Sequence, residues 1–547
     1  MVVTAEDAHG NPIAGVTVVF GVTDGGGSVP TASVATDEQG QAQTTLTLGT
    51  NAGTNTVQAT ATDLSGSPVS FTATGASGPA NQIVLTSGNN QVGQSDTMLG
   101  APLVATVEDT NGNPVAGANV TFVVTVGGGT VSTTSVTTDA QGQAQTAWMV
   151  GASGANTIEA RASGLVGSPI IFTAAVTGFA TKVDFPTGTA PHSVAIADIN
   201  GDGKPDLAVA NYSSNTVSVL LNTTATGATT PSFPAKVDFP TGTNPDSVAI
   251  DDINEDGKPD LVVANEGSNT VSVLLNTTVT GATTPTFATK ADFSTAMNPE
   301  SVAIGDVNAD GKPDLAVANI NSNTVSVLLN TTATGATPPT FAAKADFPTA
   351  TNPLGVAVGD INGDGRPDLA VGNTSVTTGV SVLLNTTATG AMPPTFATRV
   401  NFPTGQQPEY IAIDDLNGDG IPDLAVSNLN VATISVLLNT TAASATTPTF
   451  AAKGDFTTGT NPRSVAIGDL NADGKPDLAV VSGSSFVSVF ANMTAAGAMT
   501  PSFAAKIDYP TGFQPFSVAV GDFNQDGKPD LVVANQGVST VSVLLSR

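Results

Sequence analysis

Residues 193–221 read SVAIADINGDGKPDLAVANYSSNTVSVLL, and this stretch decides the fold. It holds three short runs of Val, Leu, Ile and Ala that are separated by Gly, Asn, Asp and Pro, and a fourth run, FPAKVDF, follows at 233–239. Apolar runs of this length between turn residues are typical of β-strands. We therefore predict four strands in this unit, at 193–198, 206–211, 216–221 and 233–239.

The same unit recurs seven times between residues 179 and 547. The first Asp of its central loop stands at 198, 252, 306, 360, 415, 469 and 522. Four strands in each of seven repeats predict an all-β fold, a seven-bladed β-propeller with four-stranded blades. A linear solenoid is the alternative, but it needs capping repeats. FATKVDF at 179–185 precedes the first loop and has no counterpart after the seventh. We expect it to close the ring as the outer strand of the last blade, which removes an exposed sheet edge.

The N-terminal part follows a different pattern. Residues 3–49 align with 105–151, and both copies alternate apolar and polar positions between Gly, Asn and Asp turns. This pattern indicates two Ig-like β-sandwiches. Residues 81–102, which hold a first strand, have no counterpart before Met1, so we expect this chain to be part of a longer protein. The predicted domains are 1–80, a sandwich that lacks its first strand, 81–178, a second sandwich, and 179–547, the propeller.

Composition limits the partners and the compartment. The chain has 45 acidic and 16 basic residues, a net charge of −29. This excess argues against nucleic acid or an anionic membrane surface as a partner and leaves divalent cations as the counter-charge. The absence of Cys excludes disulfides and zinc thiolates. No apolar run approaches the ~20 residues of a membrane span. We predict a secreted or bacterial cell-surface protein without membrane insertion, whose export signal is absent from this sequence.

Each repeat carries the motif D-x-N-x-D-G-x-x-D between its first two strands. In the first copy the residues are Asp198, Asn200, Asp202, Gly203 and Asp206. Side-chain oxygens at positions 1, 3, 5 and 9 and the carbonyl at position 7 can converge if the Gly at position 6 permits a sharp turn. An all-oxygen set of this kind suits Ca²⁺. The alternative is an Asp-Gly hairpin turn without metal, which needs none of the other acids or the amide.

The predicted cofactor is thus Ca²⁺, with up to one ion in each blade. The predicted ligands, in chain order, are Asp198, Asn200, Asp202, Lys204 and Asp206; Asp252, Asn254, Asp256, Lys258 and Asp260; Asp306, Asn308, Asp310, Lys312 and Asp314; Asp360, Asn362, Asp364, Arg366 and Asp368; Asp415, Asn417, Asp419, Ile421 and Asp423; Asp469, Asn471, Asp473, Lys475 and Asp477; and Asp522, Asn524, Asp526, Lys528 and Asp530.

Two resemblances support this interpretation. The loops with their SVAIGD and DLAVAN flanks resemble the FG-GAP/VCBS repeat of integrin α-subunit propellers and many bacterial surface proteins, across residues 179–547. This resemblance implies Ca²⁺ at the loops that join the two innermost strands of each blade. The N-terminal pair, with GNPVAG, GGGTV, TDAQGQA and GSPIIFTA, resembles the invasin/intimin-type bacterial Ig-like domain. That family implies a rigid extracellular stalk.

One position varies strongly among the repeats, whereas the acidic loops and the NTTATGATTPT turns barely change. This position is the residue after the Pro that precedes the innermost strand. In the fifth repeat the next residue, Tyr410, also differs from its counterparts in the other repeats. We expect these side chains to ring the mouth of the central channel, on the face away from the stalk, as a ligand-binding surface. The alternative is drift at solvent-exposed loop positions. The predicted face comprises His192, Asp246, Glu300, Leu354, Glu409, Tyr410, Arg463 and Phe516.

These features predict a calcium-binding adhesion or ligand-binding protein whose partner is a glycan or an extracellular or host protein. We do not expect an enzyme, because the sequence has two His, no Cys, no G-x-S-x-G elbow and no phosphate-binding Gly loop with Lys. One alternative is a carbohydrate-active enzyme, or its substrate-binding module, with paired carboxylates on the propeller rim. The other is a purely structural surface spacer.

Overall fold

The computed structural model describes residues 1–94, 97–151, 154–374 and 379–547, and these residues form β-strands with two short 3₁₀ turns, at Glu266–Ser268 and Ile320–Ser322. The all-β prediction is confirmed. Within the described ranges, no helix has the length and apolar character needed to cross a membrane. The chain divides into two compact units, the first holding most of the residues up to Ala174 and the second holding 175–547.

Two sandwiches make up the first unit, and the first of them has two sheets in the orders β3-β2-β5-β6 and β1-β4. Val18, Phe20, Ala42 and Val57 are buried at its core. Its strands are β1 (Val2–Thr4), β2 (Thr17–Asp24), β3 (Ser33–Ala35), β4 (Gln41–Gln43), β5 (Gly53–Thr60) and β6 (Val69–Gly75).

The second sandwich has an additional strand, β7, that the first one lacks. Its strands are β7 (Gln82–Ser87), β8 (Gln91–Gln94), β9 (Leu103–Glu108), β10 (Asn119–Val126), β11 (Thr130–Val131), β12 (Ser135–Thr137), β13 (Gln143–Thr146), β14 (Trp148–Met149), β15 (Gly154–Arg161) and β16 (Ile170–Thr177). The sheet orders are β12-β10-β15-β16-β8, β13-β9-β7 and β11-β14. β7 pairs with β9 and buries Ile83. In the first sandwich β1, the counterpart of β9 in sequence, pairs with β4 alone.

The described part of the second unit contains seven four-stranded antiparallel sheets. Their strands are β17 (Val183–Pro186), β18 (Pro191–Ala197), β19 (Asp206–Asn211), β20 (Thr216–Leu220), β21 (Val237–Pro240), β22 (Pro245–Asp251), β23 (Asp260–Asn265), β24 (Thr270–Leu274), β25 (Ala291–Ser294), β26 (Pro299–Gly305), β27 (Asp314–Asn319), β28 (Thr324–Leu328), β29 (Ala345–Pro348), β30 (Pro353–Gly359), β31 (Asp368–Asn373), β32 (Val380–Leu383), β33 (Val400–Phe402), β34 (Pro408–Asp414), β35 (Asp423–Asn428), β36 (Thr433–Leu437), β37 (Gly454–Thr457), β38 (Pro462–Gly468), β39 (Asp477–Ser482), β40 (Phe486–Phe490), β41 (Ile507–Pro510), β42 (Pro515–Gly521), β43 (Asp530–Asn535) and β44 (Thr540–Leu544).

The sheets form a closed ring. Six of them run in chain order, as in β18-β19-β20-β21, and the last has the order β17-β44-β43-β42. The first strand of each sheet contacts the first strand of the next, and β42 contacts β18. The closing strand expected at 179–185 is β17, which pairs with β44 in the register Val183↔Val543. Ring closure therefore joins the N-terminal side of the repeats to the end of the chain.

The fourth strand of each sheet is shorter than the sequence predicts. The run at 233–239 was expected to be one strand, but strand β21 begins at Val237. Phe233 instead packs its ring edge-on against Phe185, with 5.0 Å between the ring centroids, and is buried between two neighbouring sheets. The apolar character of this residue therefore reflects packing between sheets rather than strand pairing.

A buried polar chain fixes the register within six of the seven sheets; in the other one Ser482 replaces the Asn, and its hydroxyl has no partner among the described residues. In the first complete sheet Asn211 Nδ2 donates to Ser218 Oγ at 2.9 Å, and Ser218 Oγ donates to Asp238 Oδ1 at 2.6 Å. Ser218 is fully buried, so displacement of these strands would leave its hydroxyl without a partner. A buried polar group without a hydrogen bond costs about 1–3 kcal/mol, which opposes slippage of the strands.

Candidate functional sites: the acidic loops and the central cavity

The first acidic loop folds around its own backbone amides. Asp198 accepts hydrogen bonds from Asp202 N at 3.0 Å and from Gly203 N at 2.7 Å. Asp202 Oδ1 accepts one from Lys204 N at 3.0 Å. Gly203 has φ +84°, a conformation that residues with a Cβ rarely adopt. The sharp turn expected at position 6 is therefore present.

The Asp at position 9 lies buried beneath the loop. Asp206 Oδ2 accepts a hydrogen bond from Ile199 N at 2.9 Å, and Oδ1 accepts one from Asn222 N at 2.6 Å. Burial raises the pKa of Asp206 to about 7, and the charge on Asp202 also raises it. Burial is also the largest cause of a raised pKa, to about 7 or 8, at the equivalent residues of the other loops, Asp260, Asp314, Asp368, Asp423, Asp477 and Asp530.

The donor set of these loops fits a calcium ion. Within the described ranges no three His, Cys, Asp or Glu side chains already converge on a point that would hold a metal. Each loop nevertheless offers three carboxylates, one amide oxygen and one carbonyl within nine residues, with no nitrogen or sulfur ligand. A buried carboxyl whose hydrogen bonds come from backbone amides, as at Asp206, would be stabilised in its charged form by a cation. Calcium binding here remains a prediction.

A cavity of about 380 Å³ opens at the opposite ends of the inner strands from the acidic loops. The structure brings every residue of the predicted binding face to its wall. These residues are His192, Asp246, Glu300, Leu354, Glu409, Tyr410, Arg463 and Phe516. Their binding role is untested, but their convergence on one concave surface is a property of the fold.

Backbone bulges aim these side chains into the cavity. The residues on either side of His192 pair with strand β19, whereas His192 itself is skipped by the ladder. The same interruption falls at Asp246, Glu300 and Phe516. A β-bulge leaves one residue unpaired and redirects its side chain. Residues at these positions can therefore vary without disturbing the pairing of the inner strands.

One wall of the cavity is a stack of rings and a guanidinium. The His192 ring lies between Tyr212 and Phe516, with centroid separations of 4.3 Å and 4.1 Å and interplanar angles of 15° and 10°. The guanidinium of Arg463 lies 4.4 Å from the Phe516 centroid. His192 Nδ1 is 2.5 Å from Asp246 Oδ1. This wall is held rigidly by contacts among its own side chains.

The remaining wall is acidic. Burial, together with the charges on Asp246 and Glu266, raises the pKa of Glu300 to about 9. Glu409 Oε1 accepts a hydrogen bond from Arg463 at 2.9 Å, while Glu409 Oε2 is buried without a partner in the described part of the chain. Burial raises the pKa of Glu409 to about 7, although Arg463 lowers it. Four carboxyl groups thus line a cavity that contains one Arg and one His.

The sequence analysis missed a second ring of varied residues. The residue that follows the second strand of a sheet also reaches the cavity in four sheets, and these residues are Tyr212, Glu266, Leu429 and Gln536. The signal was present, because the position after each DLAVAN-type run differs from repeat to repeat. Comparison of the repeats at this position as well would have identified them.

Comparison with family models accounts for most of the second unit. A model of the FG-GAP-like repeat matches residues 170–209, 198–263, 252–317, 306–371, 415–480 and 469–533, and a model of the FG-GAP repeat matches 352–391. The chain belongs to the FG-GAP-like repeat family. Its N-terminal part matches the bacterial Ig-like domain (group 1) at residues 1–74 and 83–174.

Solved structures similar to this FG-GAP-like chain include a chain of the Chaetomium thermophilum Polycomb Repressive Complex 2, with 12% sequence identity and a TM-score of 0.45. The similar region covers 67% of this chain and 98% of that chain. Raptor of the same organism has 14% identity and a TM-score of 0.41, covering 67% of this chain and 29% of Raptor. The D0-D1 domain of intimin has 21% identity and a TM-score of 0.14, covering 32% of this chain and 85% of that one. No curated protein matches the sequence.

FG-GAP-like repeats combined with bacterial Ig-like domains are features of a surface or adhesion-type protein. Both families are typically non-enzymatic modules.

Proposed function

We propose that this FG-GAP-like protein is a calcium-binding adhesion protein, secreted or displayed on a bacterial surface, whose seven sheets are the blades of a β-propeller. Its ligand would bind in the central cavity. One observation carries this proposal. The positions that vary among the repeats converge on the cavity wall, whereas the loops and turns at the other ends of the strands barely change. Drift at exposed positions does not account for the contacts that the varied side chains make with one another, as between His192 and Asp246 and between Arg463 and Glu409.

The chemistry of the cavity favours a ligand with a positive charge. Asp246, Glu266, Glu300 and Glu409 face a volume of about 380 Å³, which is large enough for a lysine or arginine side chain. Because the pKa of Glu300 is raised to about 9, the negative charge at neutral pH comes from the other three groups. The buried Glu409 Oε2 has no partner within the described residues, so an ammonium or guanidinium group would satisfy it. Tyr410, 42% exposed on the cavity wall, offers an aromatic face to a cation. We therefore propose that the ligand is a protein that inserts a basic side chain.

Calcium would have a structural role in this protein. The ion would neutralise the carboxylates of each loop and connect the first and second strands of each blade. In the first loop Asp198, Asn200, Asp202 and Asp206 would hold it with their side chains, and Lys204 would hold it with its carbonyl. Binding to the folded state alone would stabilise the propeller.

The two alternative functions receive less support. For the enzyme alternative, His192 offers no free base, because its ring is covered on both faces by Tyr212 and Phe516. Its two nitrogens lie 2.5 Å from Asp246 Oδ1 and 2.9 Å from Gln536 Nε2. A spacer would have no use for a cavity with an acidic wall.

Binding of short charged peptides tests the proposed function. The full chain in Ca²⁺ is titrated calorimetrically with tetralysine, tetraarginine and tetraglutamate at physiological salt. We expect the basic peptides to bind, and Glu409→Gln to weaken their binding at least tenfold, because it removes the charge beside the unpartnered oxygen. Glu38→Gln removes the same charge from an exposed turn of the first sandwich and should leave binding unchanged. Equal binding of tetraglutamate, or unchanged affinity in Glu409→Gln, would refute the proposal.

A further inference from the structure

An exposed apolar patch lies beside the central cavity, between the sheet that holds β38 to β41 and the last sheet of the ring. Three side chains form it, and each is largely accessible to water, with an exposed fraction of 41% at Phe486, 55% at Phe513 and 48% at Val538. A single exposed apolar side chain is ordinary on a protein surface, whereas a group of neighbouring ones is typical of an interaction site. We call these three residues the apolar rim.

Contacts of the backbone bring the three residues of the apolar rim together. Phe513 lies on the connection from β41 to β42, and Phe486 pairs with Pro510, three residues before Phe513. On the other side, Gly537, the residue before Val538, donates its amide to Phe513 O at 3.1 Å. A Cβ on Gly537 would lie 2.5 Å from Cδ1 of Phe513, so the Phe513 ring lies directly over this part of the backbone.

The apolar rim stands where other repeats carry polar residues. Thr occupies the Phe513 position in four other connections and the Phe486 position in five other strands, and these residues are Thr189, Thr243, Thr351 and Thr460, and Thr216, Thr270, Thr324, Thr433 and Thr540. At the Val538 position three sheets have Ser214, Ser268 and Ser322. The hydroxyl of each accepts the amide of the residue at the Phe513 position, at 2.6–3.1 Å. Val538 cannot accept this bond, so the rim exposes apolar side chains without a gain for the framework.

The apolar rim continues the aromatic wall of the cavity. Gln536, which lines the cavity and lies 2.9 Å from His192 Nε2, is two residues before Val538. Phe516, which also lines the cavity, is three residues after Phe513. Two residues of extended chain span at most about 7 Å. One short segment of a ligand can therefore reach the cavity and the rim together.

We propose that the partner of this protein carries a large apolar side chain beside its inserted basic side chain, and that the apolar rim binds this second group. The inference rests on the proposed function, because the acidic cavity fixes where the basic group lies. The rim has no charge, so it adds an apolar contact rather than a second ion pair. The two ligand side chains would be separated by one residue, because side chains two positions apart in an extended segment point to the same side, about 7 Å apart.

Calorimetric titration of the full chain in Ca²⁺ at physiological salt, with two peptides of equal charge, tests the proposal. One peptide is Leu-Ala-Lys-Ala-Leu, which offers an apolar side chain in either chain direction, and the other is Ala-Ala-Lys-Ala-Ala, both with blocked ends. We expect the Leu peptide to bind at least tenfold more tightly, because a Leu side chain leaves water at the rim. Phe513→Thr introduces the residue of four other connections and should abolish this preference, and Val538→Ser should reduce it.

Met297→Thr is the matched control, because Met297 is the equivalent residue of the connection from β25 to β26 and is 57% exposed. It should leave the preference for the Leu peptide unchanged. Tetralysine, titrated in parallel, should bind all variants alike; if Phe513→Thr weakens it as well, Val538→Ser decides the question. If tetralysine binds and the Leu and Ala peptides do not differ, or if the preference survives in Phe513→Thr, this inference is wrong and the proposed function stands. If no basic peptide binds, both are wrong.

Discussion

Replacing Asp202 by Asn should change the melting temperature in opposite directions with and without Ca²⁺. The charge on Asp202 raises the pKa of the buried Asp206, so without metal it destabilises the loop. The side-chain oxygen that accepts the amide of Lys204 at 3.0 Å can be kept by Asn. The substitution therefore removes a charge while preserving the turn. With metal, the same charge is a predicted ligand, and its removal weakens binding.

The expected magnitudes follow from this single charge. At 100-fold excess over the dissociation constant, one bound ion stabilises the folded state by about 2.7 kcal/mol. A tenfold loss of affinity removes about 1.4 kcal/mol of that stabilisation. Without metal, the relief of repulsion between two carboxylates about 4 Å apart is about 1 kcal/mol in water, the medium to which Asp202 is exposed. Asp202→Asn should therefore lower the melting temperature in Ca²⁺ and raise it slightly in EDTA.

Scanning calorimetry of the full chain at pH 7.5, in 1 mM Ca²⁺ and in 1 mM EDTA, measures both signs. Glu38→Gln is the matched control, because it removes one negative charge from an exposed turn outside the repeats. It should shift both transitions equally or not at all. A shift of the same sign and size for Asp202→Asn in the two buffers would refute the metal role of the loop.

Three further changes test other parts of the protein. The pKa of Glu300 is raised to about 9 by burial and by neighbouring carboxylates, so this group destabilises the folded state as pH rises from about 4.5 to 9. Glu300→Gln should raise stability at pH 8 by up to about 5 kcal/mol, at about 1.4 kcal/mol for each pH unit above 4.5, and leave it unchanged at pH 4, so equal calorimetric shifts at both pH values would contradict this cause. Phe179→Ala removes an aromatic side chain that packs edge-on against Tyr509, with 5.1 Å between the ring centroids. The substitution should lower the free energy of unfolding by about 3–5 kcal/mol. An unchanged midpoint of guanidinium unfolding would show that closure of the ring of sheets does not need this side chain. Limited proteolysis should cut residues 1–80 before residues 81–178, because β1 lacks a partner equivalent to β7. Simultaneous cleavage of both sandwiches would argue against an exposed sheet edge at β1.

Local sequence patterns predicted the first three strands of each repeat to within two residues. In the first repeat the runs at 193–198, 206–211 and 216–221 correspond to Pro191–Ala197, Asp206–Asn211 and Thr216–Leu220. Those strands are bounded by turn residues, which act locally. The fourth strand was predicted too long because Phe233 packs between sheets, a contact that no pattern within one repeat can distinguish from pairing.

The candidate cavity was only partly predictable for the same physical reason. Variation at one position of the repeat identified seven of its residues, and the adjacent Tyr410 an eighth, because a ring brings equivalent positions together. The interactions that give the cavity its character join residues far apart in the chain. His192 lies 2.9 Å from Gln536, which is 344 residues away, and stacks on Phe516. The raised pKa of Glu300 likewise depends on Asp246 of the preceding sheet. These properties arise only when the ring has closed.

Asymmetry in the cavity also comes from residues that are otherwise constant. In five of the contacts between inner strands, a Ser hydroxyl accepts the amide of a Val in the next strand at 3.2–3.4 Å, and these residues are Ser193, Ser247, Ser301, Ser464 and Ser517. Gly355 and Tyr410 stand at the equivalent positions of two neighbouring sheets. A Cβ on Gly355 would lie 2.5 Å from Glu409 O, so this Gly permits the close approach of the strand that carries Tyr410. With these two replacements, two of the seven framework contacts are missing, and an aromatic ring lies on the wall of the cavity instead.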